Sequence, residues 1–440
     1  MKRLIVLLLL IAWSVLFKVY LSDYILRFPE AAGTIAFGII LLGGYLLSDL
    51  FVPLKLPRIT AYLAAGLLMG PFAFGIISRE SLENLRFIDD LALNFIGLAA
   101  GAELHLPELK RRMKPILFLI AAGGFIVFGG MVIGLRAMAL PVFIQDSGAA
   151  TWTAIILVSV IALARSPSST IAVISETRSR GPFTETIMGV TVSFDVAIIL
   201  LFAMALSAAA SVLSADHSFN LMLLANILVS LLLSFAIGIL LGTAISLYFG
   251  KIASETIFFV LALVFSVSKL SEFATLAVHN IAGVTLHLEP MIMCMTAGFV
   301  ARNFCRTSGK FIEAIEKGSL PVYVLFFVLT GAHLHASVLV SYWHVALILF
   351  TMRLVFMISG GYFSARLAGE PPYLCRLYGM AFITQAGVSF GLVRMMKTTF
   401  PEWAPVLGTV LTATIIINEL IGPILIKIAL DRSGEAGRRE

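Results

Sequence analysis

Apolar runs of about 20 residues recur along the whole chain, separated by short polar, glycine-bearing or basic turns. Each run is long enough to cross the hydrocarbon core of a bilayer as a helix. The pattern predicts spans near 4–20, 34–51, 58–77, 83–104, 114–141, 150–176 and 183–213, then 219–249, 255–272, 284–302, 319–340, 343–367, 376–397 and 405–430. That makes about 13–14 transmembrane helices in one all-α polytopic membrane domain. The segment 273–302 fits least well, because His279-Asn280 reads as a loop or a bend.

Charge placement adds an orientation. Lys55 and Arg58, then Lys110, Arg111, Arg112 and Lys114, then Arg178 and Arg180, fall on every second turn. Lys251, the group Arg302, Arg306, Lys310 and Lys317, the pair Arg366 and Arg376, and Arg432, Arg438 and Arg439 continue the series. The intervening turns 142–149, 214–218 and 341–342 hold no lysine or arginine, and Arg27, Arg79, Arg86, Arg394 and Lys397 are the exceptions. Cationic loops stay on the cytoplasmic side, so both termini are expected there. The opening run after Met-Lys-Arg has no small-x-small cleavage site, because Trp13, Phe17, Lys18 and Tyr20 crowd the place for one; it reads as a retained extra helix within 1–33. The domain layout is then a core over 34–430 and a short cytoplasmic tail, 431–440.

Composition excludes several classes. Of 440 residues, 60% are hydrophobic and only 13% charged, against roughly a quarter charged in soluble domains. The net charge of +6 reflects cations kept on one membrane face and does not point to nucleic acid. Cys294, Cys305 and Cys375 have no framework spacing. There is no phosphate-binding glycine loop, Cys-x-x-Cys pair or nucleophile–base constellation, so the chain reads as a non-enzyme with no cofactor and no metal site.

Two spans are interrupted where the bilayer is driest. The first reads Ala164-Arg-Ser-Pro-Ser-Ser-Thr170, followed by a basic turn and a span carrying one carboxylate, Asp195. The second is Gly379-Met-Ala-Phe-Ile-Thr384-Gln385-Ala-Gly387-Val-Ser-Phe-Gly391. Irregular backbone survives at membrane depth only where protein or a wet cavity satisfies it. Paired interruptions in two halves of a chain point to inverted repeats and a binding site between them.

These stretches resemble the bacterial members of the monovalent cation/proton antiporter (sodium/hydrogen exchanger) superfamily, over about 34–430. Leu56-Pro-Arg-Ile-Thr-Ala-Tyr-Leu-Ala-Ala-Gly-Leu-Leu-Met-Gly-Pro71 is similar to a proline- and glycine-marked family helix, and Leu325-Phe-Phe-Val-Leu-Thr-Gly331 to another. The resemblance implies inverted repeats, a scaffold or dimer domain beside a mobile core, two crossing discontinuous helices, and a homodimer in the bacterial inner membrane. It implies exchange of protons for sodium or potassium by alternating access, with Asp195 as the shared proton and cation site. Ser166, Ser168, Ser169, Thr384 and Gln385 are then candidate ion ligands, and Arg353 and Arg165 candidate charge compensators. One departure stands out: the family places a polar residue before this aspartate, and here it is Phe194. A single acid favours one-for-one, electroneutral exchange. A cation channel on the same scaffold, or an organic-anion transporter using Arg165 and the positive helix ends, are the rival readings.

The remaining charges have plainer readings. Arg165 is expected to pair with Asp195 or a carbonyl end, where it either steers anions or gates the site, or else to snorkel or bond backbone. Glu419 must face protein or water, and a structural hydrogen bond at a helix or subunit interface is expected ahead of a part in transport. Asp89 and Asp90 are expected near an outer funnel or the solvated interface, and Glu103 at the inner end of its span. His333 and His335 suggest a pH or metal role, but two positions two apart on a helix face different ways. His105, His217, His279, His287 and His344 lie near boundaries or bends.

Overall fold

The computed structural model describes residues 29–51, 56–138, 148–213, 221–252, 255–282, 288–305, 307–334, 336–385 and 387–437. The expected span 4–20, and His217, His287 and His335, lie outside these residues. Among the described residues all regular structure is helical. The first half contains α1 (Pro29–Phe51), α2 (Arg58–Met69), short α3 (Arg79–Asn84), α4 (Arg86–Glu103), short α5 (Leu106–Arg111), α6 (Met113–Ala137), the pair α7 (Gly148–Ile161) and α8 (Pro167–Thr177), and α9 (Pro182–Leu213). After α10 (Leu221–Lys251) come α11 (Thr256–Ala282), α12 (Pro290–Phe304), α13 (Ser308–His333) and α14 (Ala336–Ala368). The second interrupted unit is α15 (Pro372–Tyr378), a 3₁₀ turn (Gly379–Phe382) and α16 (Gly387–Thr399), and α17 (Ala404–Ser433) closes the chain.

The order of long elements repeats on either side of α10: four helices, an interrupted unit, a long helix. Six crossings followed by one linking helix turn the second set upside down relative to the first. The packing follows this relation: α2 lies on α13, α4 on α12, and α6 on α14. These seams are close because small residues face each other. A Cβ added at Gly101 would overlap the Met295 carbonyl oxygen across the α4–α12 seam, and one at Gly66 would overlap that of Val328 across α2–α13.

Among the described residues six helices are long and apolar enough to cross a membrane by themselves, among them α6, α9, α14 and α17. Others of the expected spans are shorter because they are halves of interrupted units, or end early. The helix expected over 58–77 stops at Met69, where Gly70 turns the chain. Three other boundaries differ from expectation. His279-Asn280 lies inside α11, which continues to Ala282, since one or two polar residues do not end a helix without a breaker. The span expected over 319–340 begins earlier, at Ser308. The turn expected at 341–342 is a kink at Tyr342 (φ −123°, ψ 18°), and the preceding helix has already ended at His333.

The tail is docked. Glu435 accepts from the backbone N–H groups of Phe183 (2.9 Å) and Thr184 (2.8 Å), and from the Thr184 hydroxyl (2.7 Å). It thereby satisfies the free donors at the start of α9, the helix that carries Asp195.

Candidate functional site

The two interruptions meet in the interior. The first spans Ala162–Ser166 and the second Ile383–Gln385, and they touch through a backbone hydrogen bond from Ser166 N–H to Thr384 O (3.0 Å). Pro167 opens α8 because its missing N–H costs nothing at a first helical position. Ser166 caps the same end, its hydroxyl oxygen accepting from Ser169 N–H (3.3 Å).

Breaking two helices leaves carbonyl ends with no water to solvate them. Arg353, from the middle of α14, collects them. Its Nε donates to Ala162 O (2.7 Å) and its Nη2 to Ala164 O (2.7 Å) and Phe382 O (3.4 Å). Its Nη1 donates to Ile383 O (2.6 Å) and to Asn418 Oδ1 (2.9 Å). One guanidinium thus serves the carbonyl ends of both interrupted helices. Gln385 adds a brace, donating to Ile161 O (2.9 Å) and accepting from Asn418 Nδ2 (2.9 Å). All three side chains are buried. Asn418 was not singled out in the sequence; the signal was an Asn-Glu pair in the middle of the apolar last span.

Arg165 is placed otherwise than expected. It neither snorkels nor pairs with Asp195. It is buried, with its guanidinium between two rings, 4.3 Å from the Phe194 centroid and 4.2 Å from that of Phe382. Its Nε and Nη1 have no hydrogen-bond partner. The reason is local: Phe194 fills the position beside Asp195, and the cation rests on its face. Phe194 is therefore the contact by which α9 meets the first interruption.

Asp195 is buried, and its Oδ1 has no partner. Around it α9 packs against both α8 and α16, the two segments whose N-terminal ends leave the crossing. The Thr384 hydroxyl is likewise buried and unpartnered. Ser166, Ser168 and Ser169 bond among themselves, and Ser169 donates to Glu419 Oε1 at 2.7 Å. The crossing thus brings together the serines, Thr384, Gln385, Arg353 and Arg165, with Asp195 on the adjoining helix.

Elsewhere, Glu103 lies in a cavity of about 520 Å³ that also takes in Arg180, Arg302, Glu316 and Tyr323, between α4, α9 and α13. His333 Nδ1 donates to Leu329 O (2.8 Å) and lies 3.8 Å from Asp89. Among the described residues no group of three His, Cys, Asp or Glu side chains is placed to hold a metal.

The family "Sodium/hydrogen exchanger, transmembrane" matches residues 37–431. The chain belongs to that family. Its fold is similar to two structures of the sodium proton antiporter MjNhaP1 from Methanocaldococcus jannaschii. The one at pH 8 gives a TM-score of 0.62 at 18% identity, covering 91% of this chain and 96% of that one. The other, from electron microscopy, gives 0.67 at 19% identity, covering 90% and 94%. Over 102 residues the chain is 28% identical to the Na(+)/H(+) antiporter NhaS5 of Synechocystis, a match spanning 23% of this chain and 14% of that longer protein. The chain is thus an integral membrane protein of the sodium/hydrogen exchanger family, with a fold to match.

Proposed function

We propose that the protein exchanges protons for sodium or potassium by alternating access, with Asp195 as the site that both ions share. The observation that carries this reading is the state of Asp195: a carboxylate out of water, its Oδ1 free of any hydrogen bond, on the helix beside two interrupted segments. An uncompensated buried carboxylate is costly, and either a proton or a small cation relieves the cost. The two cannot occupy it together. If only the occupied site reorients across the membrane, competition alone couples the two ions.

The serine and threonine hydroxyls near the crossing, with carbonyls not claimed by Arg353, replace part of the cation's hydration shell. Arg353 holds the negative helix ends so that the positive ends face the transported charge. Gln385 serves mainly as a brace, since both ends of its amide are engaged. The proposal includes a homodimer in a bacterial inner membrane with both termini cytoplasmic. The antiporters named by the related proteins support cation exchange over a channel or an organic-anion carrier.

The test uses proteoliposomes containing a pH dye, pulsed in turn with sodium, potassium and lithium. The unaltered protein is expected to alkalinise or acidify the lumen with sodium or potassium, and Asp195→Asn to abolish the response. Retained exchange in a well-inserted Asp195→Asn protein sinks the reading. Cation current without proton movement favours the channel.

A further inference from the structure

Glu419 lies in the middle of α17, fully buried, next in sequence to Asn418 of the Arg353 seat. Its Oε1 accepts the Ser169 hydroxyl at 2.7 Å, and its Oε2 has no partner. The hydroxyls behind Ser169 have a direction. Ser166 donates to Ser169 Oγ (3.1 Å), so at the Ser166–Ser168 contact (3.0 Å) the donor is Ser168. A chain Ser168 to Ser166 to Ser169 to Glu419 therefore runs through the first turn of α8 and ends on a carboxylate. One helical turn after Glu419, α17 touches the second interruption: a Cβ at Gly422 would stand 2.8 Å from Thr384 N and Cα. The unpartnered Thr384 hydroxyl lies on that same residue.

An ionised carboxylate here would lose its hydration without a cation in its place. One hydroxyl and the positive end of α8 offset only part of that. No charged group on the neighbouring elements bonds Oε2: Arg353 is engaged by carbonyls, Glu176 of α8 by Lys427 at 3.6 Å, and Arg165 lies between the rings of Phe194 and Phe382. A proton is the simplest counter-charge, and the serine chain is a path for it.

We propose that Glu419 is a second proton-carrying acid of the transport site, loaded through Ser168, Ser166 and Ser169. It supplies a second acid to a site where Phe194 replaces the polar residue expected beside Asp195. This rests on the exchange reading above. Loading conserves protons: a hydronium ion gives one to Ser168, each hydroxyl passes its own onward, and Glu419 keeps the last. Unloading is the reverse, and no serine retains charge.

Two measurements on the full chain in lipid decide it. Infrared spectra of Asp195→Asn and of Asp195→Asn/Glu419→Gln are subtracted; a carboxylic-acid carbonyl band, shifted in D₂O, is expected. Protons released per sodium bound are then counted by calorimetry in buffers of different ionisation enthalpy. Glu419→Gln is expected to release fewer than the unaltered protein, and Glu419→Asp to keep the original ratio. Ser169→Ala is expected to slow exchange without changing the ratio. The absence of the band, or an unchanged ratio in Glu419→Gln, overturns the assignment, as does an equal loss in Glu419→Asp. The infrared band needs no transport, so failure of Asp195 as the exchange site is read separately, from exchange retained in Asp195→Asn.

Discussion

Two buried arginines meet in the crossing and are treated in opposite ways. Arg353 spends its guanidinium on five hydrogen bonds, four of them to the carbonyl ends of the interrupted helices. Arg165 lies between Phe194 and Phe382 with two nitrogens unpartnered. The first is a saturated seat, where every polar group has an answer. The second belongs to a side of the crossing where polar atoms stand without one: Asp195 Oδ1, Thr384 Oγ1 and Glu419 Oε2. Saturated networks make a core rigid, whereas unpartnered groups in low dielectric are costly and persist where something else is to bind. Stability is therefore expected to reside on one side of the crossing, and ion chemistry on the other.

The largest effect should come from emptying the saturated seat. Arg353→Gln leaves several carbonyls of both helix ends unsatisfied and removes their counter-charge. A loss of about 3–5 kcal/mol is expected, the range for removing one partner of a buried charged network. Thermal unfolding of the purified protein in lipid measures it. Arg353→Lys should recover only part, since an ammonium cannot span the fork of acceptors. A melting temperature close to that of the unaltered protein would show that the seat is not what holds the crossing.

A smaller effect tests whether the sensitivity is specific to the crossing. Glu435→Ala removes the cap from the far end of α9, leaving the Phe183 and Thr184 N–H groups without an acceptor. The expected cost is about 1 kcal/mol, typical of a lost N-cap. Gly181, with φ +150°, lies where a Cβ would overlap the Glu435 carboxyl group, so docking of the tail depends on glycine there. If Glu435→Ala destabilised as strongly as Arg353→Gln, the distinction between a rigid crossing and its surroundings would collapse.

The architecture was legible in the sequence because hydrophobic length and breaks are local signals. Ser-Pro-Ser-Ser and the Gly379–Gly391 stretch are visible without knowing what they pack against; the first interruption ends at the opening serine of the one, and the second falls within the other. Seats made from distant residues were not visible. Asn418, two hundred and more positions from the first interruption, is one residue in an apolar span until its bonds to Arg353 and Gln385 are seen. Glu435 was only one residue of a short tail for the same reason. Arg165 was misjudged because its neighbours in space, Phe194 and Phe382, are aromatic, and pairing rules start from charge. His279-Asn280 failed in the other direction, since polar residues without glycine or proline do not oblige a helix to stop.

The smallest expected effect on stability is also the sharpest test of the comparison. Arg165→Met keeps a long, unbranched side chain between the two rings and discards the charge. What is lost is the attraction of a cation for two ring faces, worth about 1–2 kcal/mol for each desolvated contact. What is gained is relief from burying a guanidinium with unpartnered nitrogens, a penalty of similar size and opposite sign. The two should nearly cancel, leaving unfolding within about 1 kcal/mol of the unaltered protein. Exchange should respond where stability does not, because the buried positive charge acts on whatever charge occupies the neighbouring carboxylates. Removing it favours cation entry, so the sodium concentration for half-maximal exchange should fall in the dye assay. A protein as unstable as Arg353→Gln would mean that Arg165 is a second structural seat, and the division of the crossing into a fixed side and a working side would be wrong.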